Sequence, residues 1–314
     1  MEEGDPLLFQ VVDGKRAEHL AFSEIPRLRY KYSPLDLVPK EFIPSDSLKT
    51  LSFSEKLFVT IGDNTKKEKK NEKEKNEEIV AIAGRVFFGD AKNYSSKMID
   101  NGKLVTLKAF GEPHPTLTTF YLDNIDKDYN EKEGIHIRGR KFYWHHKDKV
   151  GKEFKSYRNT VEMPQDKNGK RKFTYNSSLE LMDINNKFEF EVHFENLTDE
   201  ELGILIYSLE LEEGLLHKVG KGKAFGFGSC KIEINEFLLE GKNKYNSFFE
   251  NIFEKKEKSE YIQKAKEKYI NENRKNIKEL KEILSKTNDL DFSKSPFPED
   301  SNKKGEISTL NWFV

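Results

Sequence analysis

Residues 214–228 read Gly-Leu-Leu-His-Lys-Val-Gly-Lys-Gly-Lys-Ala-Phe-Gly-Phe-Gly, five glycines interleaved with three lysines, one histidine and two phenylalanines. Glycine loses more backbone freedom on ordering than any other residue, so this run is a poor helix and a poor central strand. It reads instead as a long connection between a helix-like segment, Thr198 to Leu211, and a strand-like one, Ser229 to Ile234. Glycine also lets another chain approach the backbone closely. Lysines in the same loop supply charge for phosphate, and phenylalanines supply a stacking surface, so the composition points toward nucleic acid.

Better-known glycine motifs do not fit. A Walker loop needs Gly-x-x-x-x-Gly-Lys followed by Ser or Thr, and no such run occurs. In a dinucleotide fingerprint the third glycine would stand at 225, whereas Gly220 and Gly222 are followed by Gly226. The order here is also helix then strand, the reverse of that fingerprint. No nucleotide cofactor is expected. A ligand-free helix-to-strand connection is the alternative on composition alone.

At 314 residues the chain can form one large domain or two smaller ones. Charged residues make up 35% of it, yet the formal net charge is −1, which by itself indicates no polyanion partner. The balance hides a local excess. Arg138 to Lys172 holds twelve Lys/Arg against four Asp/Glu, a net of +8, and clustering matters more than the total for a polyanion. Cys230 is the single cysteine, which excludes a disulfide framework and a cysteine-based metal site. Its apolar strand makes it a core residue. No apolar run approaches the length of a membrane span and none resembles a signal peptide, so the expectation is a cytoplasmic chain with no membrane partner.

Along the chain, Leu7 to Val12 reads as a strand within a proline-punctuated N-terminal region. Asp63 to Glu78 is Lys/Glu/Asn-rich with no apolar residue and no glycine, and reads as a charged disordered loop. Ile79 to Phe88, Leu104 to Ala109 and Leu117 to Leu122 read as strands, and Gly134 to His145 alternates with basic residues on one face. Lys167-Asn168-Gly169-Lys170 is a hairpin signal. Phe188, Phe190, Val192 and Phe194 alternate with Glu189, Glu191, His193 and Glu195, a half-buried strand. Thr198 then N-caps a helix, with Glu201 completing a capping box and Leu202, Leu205, Ile206 and Leu209 at helical spacing. With the strand around Cys230 to Ile234 this makes a β-α-β unit, half of a ferredoxin-like domain. Phe248, Phe249, Ile252 and Phe253 begin a helical spacing that continues to about Lys286, with lysine and glutamate on the other face. The chain thus divides into a domain over 1–240, an amphipathic helical extension over 241–290, and a tail over 291–314 that ends in an apolar cluster, Leu310 to Val314.

Four segments occur in order: Gly84-Arg85-Val86-Phe87-Phe88-Gly89-Asp90-Ala91, Pro113-His114-Pro115-Thr116, Arg138-Gly139-Arg140-Lys141-Phe142-Tyr143-Trp144-His145, and the loop Gly220 to Gly228. Together they resemble the RAMP superfamily, the ferredoxin-like (RRM-like) RNA-binding proteins of CRISPR effector complexes, especially backbone-type subunits of type III systems. The resemblance runs from near the N-terminus to about Ile234. It implies an α+β fold, with β-rich insertions and the C-terminal helical extension added to the RAMP domain. It also implies an RNA-binding role in an antiviral ribonucleoprotein, with CRISPR RNA, target RNA and other effector subunits as partners.

By that resemblance Lys218, Lys221 and Lys223 contact phosphate, while Gly220, Gly222, Gly226 and Gly228 allow close approach. Phe225 is the one to stack on a base and Phe227 the one to fill the core. Arg138, Arg140, Lys141, Tyr143 and His145 form the accompanying basic face. Longer members of the branch look as though they carry a first half-domain upstream of a region like Phe9-Gln10-Val11-Val12-Asp13-Gly14, where this chain starts. The acidic residue that cleaves target RNA lies in that half, so cleavage is not carried over. A split gene, a shortened member, or a subunit completed by another chain all follow.

Three function classes stand. The first is a non-catalytic or weakly catalytic RNA-binding subunit of a CRISPR effector. The second is a metal-independent endoribonuclease processing CRISPR RNA through a His/Tyr/Lys set, with His145 beside Tyr143 or His217 beside Lys218 as candidates. The third is a scaffold whose loop contacts only protein. Asp90, after a strand, is the remaining catalytic candidate, but no second carboxylate stands at metal-site spacing, so no metal is expected.

Overall fold

In the computed structural model, residues 8–12, 14–21, 30–45, 51–61, 81–107, 118, 121–124, 126–146, 167–168, 177–241 and 252–287 are described. The charged run 63–78, the stretch 147–166, the arms of the hairpin expected around Lys167 and Asn168, Phe248, Phe249 and the terminal cluster 310–314 lie outside them. The chain divides into two compact units, one formed by Met1–Ile43 with Pro113–Arg140 and one by Pro44–Glu112 with Lys141–Val314.

The first unit opens with an antiparallel hairpin of β1 (Leu8–Val12) and β2 (Arg16–Ala21), in which Val12 faces Arg16. A short helix, α1 (Pro34–Leu37), follows. Leu37, Leu122, Tyr129 and Ile135 are buried together, with Tyr30 and Ile137 packed against them. The Tyr30 and Tyr129 rings meet edge to face, with centroids 5.3 Å apart. Of the strand expected over Leu117 to Leu122, only residues 118, 121 and 122 are described, and Leu122 makes an antiparallel bridge to Ile137.

The second unit begins with α2 (Phe53–Leu57), β3 (Thr60–Ile61), β4 (Ala81–Ile82), β5 (Val86–Phe88), β6 (Lys92–Asn93) and β7 (Val105–Thr106). Then come β8 (Ser178–Leu179), β9 (Phe188–Glu189), β10 (Val192–Phe194) and α3 (Asp199–Glu210). Its later described elements are β11 (His217–Lys218), β12 (Ser229–Cys230), β13 (Leu238–Glu240), β14 (Phe253–Lys255), α4 (Ser259–Tyr269) and α5 (Lys275–Leu284). Among the described residues every ladder is two-stranded and antiparallel: β3 with β4, β5 with β10, β6 with β9, β7 with β8, β11 with β12, and β13 with β14. The content is mixed α/β with small sheets. That much is common to many folds and does not establish a ferredoxin-like one.

Phe253, expected on a helix, lies in β14, where it faces Glu240 of β13. The pairing supplies backbone partners that outweigh a helical spacing carried by only a few residues. The later helical spacing does form helices, and they pack within this unit.

The core sits under α3. Leu202, Leu205 and Ile206 are buried with Leu57, Val86 and Phe237. The helix starts as its sequence predicts: the Glu201 N–H donates to Thr198 Oγ1 at 3.2 Å, and the Thr198 N–H donates to Glu201 Oε2 at 3.1 Å. Arg85 locks that first turn. Its guanidinium donates to both Glu201 oxygens, at 3.0 and 2.9 Å, to the Asn196 carbonyl at 2.5 Å, and through Nε to the Lys56 carbonyl at 2.8 Å.

Helix α4 lies against α3 at their smallest residues. A methyl at Gly203 would collide with the Tyr261 carbonyl and come within 2.8 Å of the Ala265 Cβ, and Ala265 has no exposed surface. Lys264–Asp199 and Lys268–Glu200 ion pairs rim the contact at 2.8 and 3.1 Å. Exposed pairs of this kind are screened by solvent and contribute little, so the close backbone approach decides the geometry. Overpacking it with Gly203→Ala is expected to cost about 1–3 kcal/mol, read as a lower thermal midpoint.

Burial alone would raise the Glu201 carboxyl, but hydrogen bonds from Arg85 and Thr198 hold it below its ordinary value. Burial likewise acts to raise Glu212, yet hydrogen bonds from Lys266, Lys281 and Tyr207 bring it to about 2. A carboxyl lowered in the folded state gives stability that is complete above its unfolded value and is lost as pH falls through the folded one. Stability should therefore decline from about pH 4.5 toward about 2. Arg85→Ala should cost about 1–3 kcal/mol at neutral pH and shrink the acid-dependent part, measured by urea melts across that range.

Candidate nucleic-acid interface

The glycine run folds into a loop closed by the β11–β12 ladder, where His217 faces Cys230 and Lys218 faces Ser229. Its tip is a single 3₁₀ turn over Lys223–Phe225, flanked by Gly222 at φ 73° and Gly226 at φ 98°. Side chains rarely adopt that left-handed conformation, so both ends of the turn call for glycine. The Phe225 N–H and Phe227 N–H both donate to the Gly222 carbonyl, at 2.9 and 3.3 Å. A methyl on Gly226 would lie 2.7 Å from His146 Nδ1, and one on Gly228 would collide with the Val219 carbonyl. The loop is drawn tightly onto its own base.

Of the three loop lysines, Lys218 turns inward. Its Nζ donates to the Gly226 carbonyl at 2.9 Å and the Phe227 carbonyl at 3.0 Å, and burial pulls its pKa down to about 8. It braces the loop from within. Lys221 is exposed and Lys223 half-buried. Lys223 Nζ lies 5.8 Å from the centroid of the Tyr143 ring, and Lys141 Nζ lies 5.2 Å from the same centroid. Two cations thus meet one aromatic ring. Beside it is a shallow pocket of about 240 Å³, lined by Leu107, Tyr143, Ser177 and Leu179 and by the loop backbone and side chains from Gly220 to Lys223. Phe225 and Phe227 are both half-buried, and the Phe227 ring is the one packed on Gly222.

His145, expected on the basic face, has no exposed surface. Its Nε2 lies 3.0 Å from the Leu216 carbonyl and its Nδ1 2.8 Å from Ser229 Oγ. A carbonyl can only accept, so Nε2 carries the proton and Nδ1 accepts from the serine hydroxyl. Burial, then the nearby Lys218 charge, lowers the imidazole to about 4. It is a neutral core tie between Ser229 of β12 and Leu216, the residue before β11. His217 donates from Nε2 to the Leu209 carbonyl at 2.7 Å, satisfying the end of α3. Both histidines proposed as acid or base thus hold structural hydrogen bonds. Asp90 is exposed just after β5, and among the described residues no group of three or more His, Cys, Asp or Glu is placed to hold a metal.

The basic block itself is divided. Lys141, Tyr143 and His145 belong with the loop, in the second unit, whereas Arg138 and Arg140 belong to the first. Arg140 is exposed, and Arg138 is half-buried, with Nε donating to the Leu122 carbonyl at 2.6 Å. Most of the remaining cations up to Lys172 lie outside the described residues. Sequence reasoning passed over His136 in the first unit, where Nδ1 lies 2.9 Å from Asp123 Oδ2 and the side chain is 76% exposed. The spacing of thirteen residues carries no signal, because the pairing depends on the Leu122–Ile137 bridge.

The loop geometry separates its glycines. Gly226→Ala, facing His146 at φ 98°, should cost about 1–3 kcal/mol. Gly220→Ala, with nothing within 4 Å, should cost only the backbone conformation, about 1 kcal/mol. Paired denaturant melts check the order. Among known proteins, no protein-family model matches the chain and no curated protein matches it.

Proposed function

We propose that the chain is an RNA-binding subunit of a CRISPR-type antiviral ribonucleoprotein, with a ferredoxin-like core, that holds a single strand across the outer side of the glycine loop. The observation that carries this reading is the convergence of Lys223 and Lys141 on the Tyr143 ring beside the exposed Lys221, at the rim of a small pocket. Cations next to an aromatic platform suit a sugar-phosphate chain with unstacked bases. The resemblance of the Arg138 to His145 block and the loop to RAMP proteins supports the same ligand, and Arg138 and Arg140 are proposed as further phosphate contacts. Other effector subunits are the proposed protein partners.

The reading assigns different duties to the lysines. Lys221 and Lys223 contact phosphate, while Lys218 shapes the loop. A strand's affinity falls with salt by a slope of about 0.7 per phosphate neutralised. Fluorescence anisotropy of a labelled RNA oligomer over a salt series should therefore show a shallower slope, by about one contact each, for Lys221→Ala and Lys223→Ala. Lys218→Met should keep the slope of the unaltered chain. RNA affinity that is independent of salt, or slopes unchanged in all three variants, would leave the loop a protein contact or a plain connector. Intact repeat RNA after long incubation in EDTA is the expected companion result, given the buried or capped state of His145 and His217.

A further inference from the structure

We infer that His136 is a phosphoryl-acceptor site: its Nε2 takes a phosphoryl group from a phosphoramidate donor, with Asp123 as its positioning residue. The inference concerns the first unit and stands apart from the RNA reading above. The backbone of His136 is held to Asp123 at both of its polar groups. Its N–H donates to Asp123 Oδ1 at 2.7 Å, and its carbonyl accepts from the Asp123 N–H at 3.0 Å. The ring is fixed as well, with Nδ1 2.9 Å from Asp123 Oδ2. Beside this pair Leu122 bridges Ile137, and Ile135 and Ile137 pack into the core of the unit. Alternation along the chain then turns His136 outward, and its side chain is 76% exposed.

The pairing decides the chemistry. An ionised carboxylate only accepts, so Nδ1 carries the proton and Nε2 of the neutral ring keeps its lone pair. Burial acts to raise the Asp123 carboxyl, yet hydrogen bonds from the His136 backbone and ring hold it below its ordinary value, so the partner is an anion at neutral pH. A carboxylate behind an imidazole fixes the tautomer and direction in which the far nitrogen attacks. Arg138 stands two residues on, and its Nε donates at 2.6 Å to the carbonyl of Leu122, the neighbour of Asp123. A guanidinium held there attracts phosphoryl oxygens and opposes a divalent metal ion. In the transfer the Nε2 lone pair forms an N–P bond as the P–N bond of the donor breaks. The electron pair of that bond leaves with the donor nitrogen, already protonated, as ammonia. The Nδ1 proton stays in place, so the ring becomes an imidazolium whose charge Asp123 compensates.

The test treats the full chain with phosphoramidate at neutral pH and follows each histidine by mass spectrometry, with phosphorus NMR to tell which ring nitrogen is modified. His193 is the internal standard: its side chain is 71% exposed, but its Nε2 lies 3.3 Å from the Glu191 carboxylate. His136 should react about 10-fold faster than His193, and at Nε2 alone. Asp123→Asn should slow His136 about 10-fold and leave His193 unchanged, and His136→Gln should remove the fast signal. Equal rates at His136 and His193 in the unaltered chain, or phosphorus on Nδ1, overturn the inference, and neither measurement depends on a variant that must fold. A rate at His136 that Asp123→Asn leaves unchanged overturns it as well, since the carboxylate is then no part of the site.

Discussion

The Arg85 guanidinium is the joint on which the second unit turns. One planar cation reaches the end of α2 through the Lys56 carbonyl, the turn before α3 through the Asn196 carbonyl, and the first turn of α3 through both oxygens of Glu201. A lysine could not replace it, because a single ammonium cannot present a fork to a carboxylate and two further donors to carbonyls. Glu201 also lies where the helix dipole favours negative charge, and it returns a bond to the Thr198 N–H. The side chains are 24% and 11% exposed, so the cost of desolvating them is offset only because their hydrogen-bonding groups are engaged. The residues that signalled a family resemblance near Gly84 thus hold the helix from which the loop departs.

The loop's order comes from its own atoms. Lys218 ties two carbonyls, the 3₁₀ turn closes on the Gly222 carbonyl, and His146 lies under Gly226. A glycine-rich segment with so many internal partners loses little freedom when a ligand arrives, which favours affinity without further contacts. The structure divides the cations by burial: one inside as a brace, the others outward beside Tyr143.

What could be read from the sequence was what neighbours in the chain decide. Helix α3 was legible from Thr198, Glu201 and the spacing of Leu202, Leu205 and Ile206, since capping and amphipathic period are local. β1 was legible from its apolar run. The loop was legible as a loop. Partners far along the chain were not. His145 is tied to groups 71 and 84 residues away, and Arg85 to a carboxylate 116 residues away, and no local pattern announces either. The inward turn of Lys218 follows from the ladder register, which composition does not encode. Phe253 looked helical beside Phe248 and Phe249, and only its pairing with β13 makes it strand.

The root of the loop is shared with the end of α5. The Leu216 N–H donates to the Leu284 carbonyl, the Lys286 N–H donates to the Gly214 carbonyl, and Leu215 bridges Ser285. These bonds join segments some seventy residues apart, so they form only after α4 and α5 have been synthesised and docked. A nascent chain therefore carries its glycine loop unanchored at one edge until α5 has emerged from the ribosome, and premature termination before α5 would yield a product that retains every loop residue but lacks that seam.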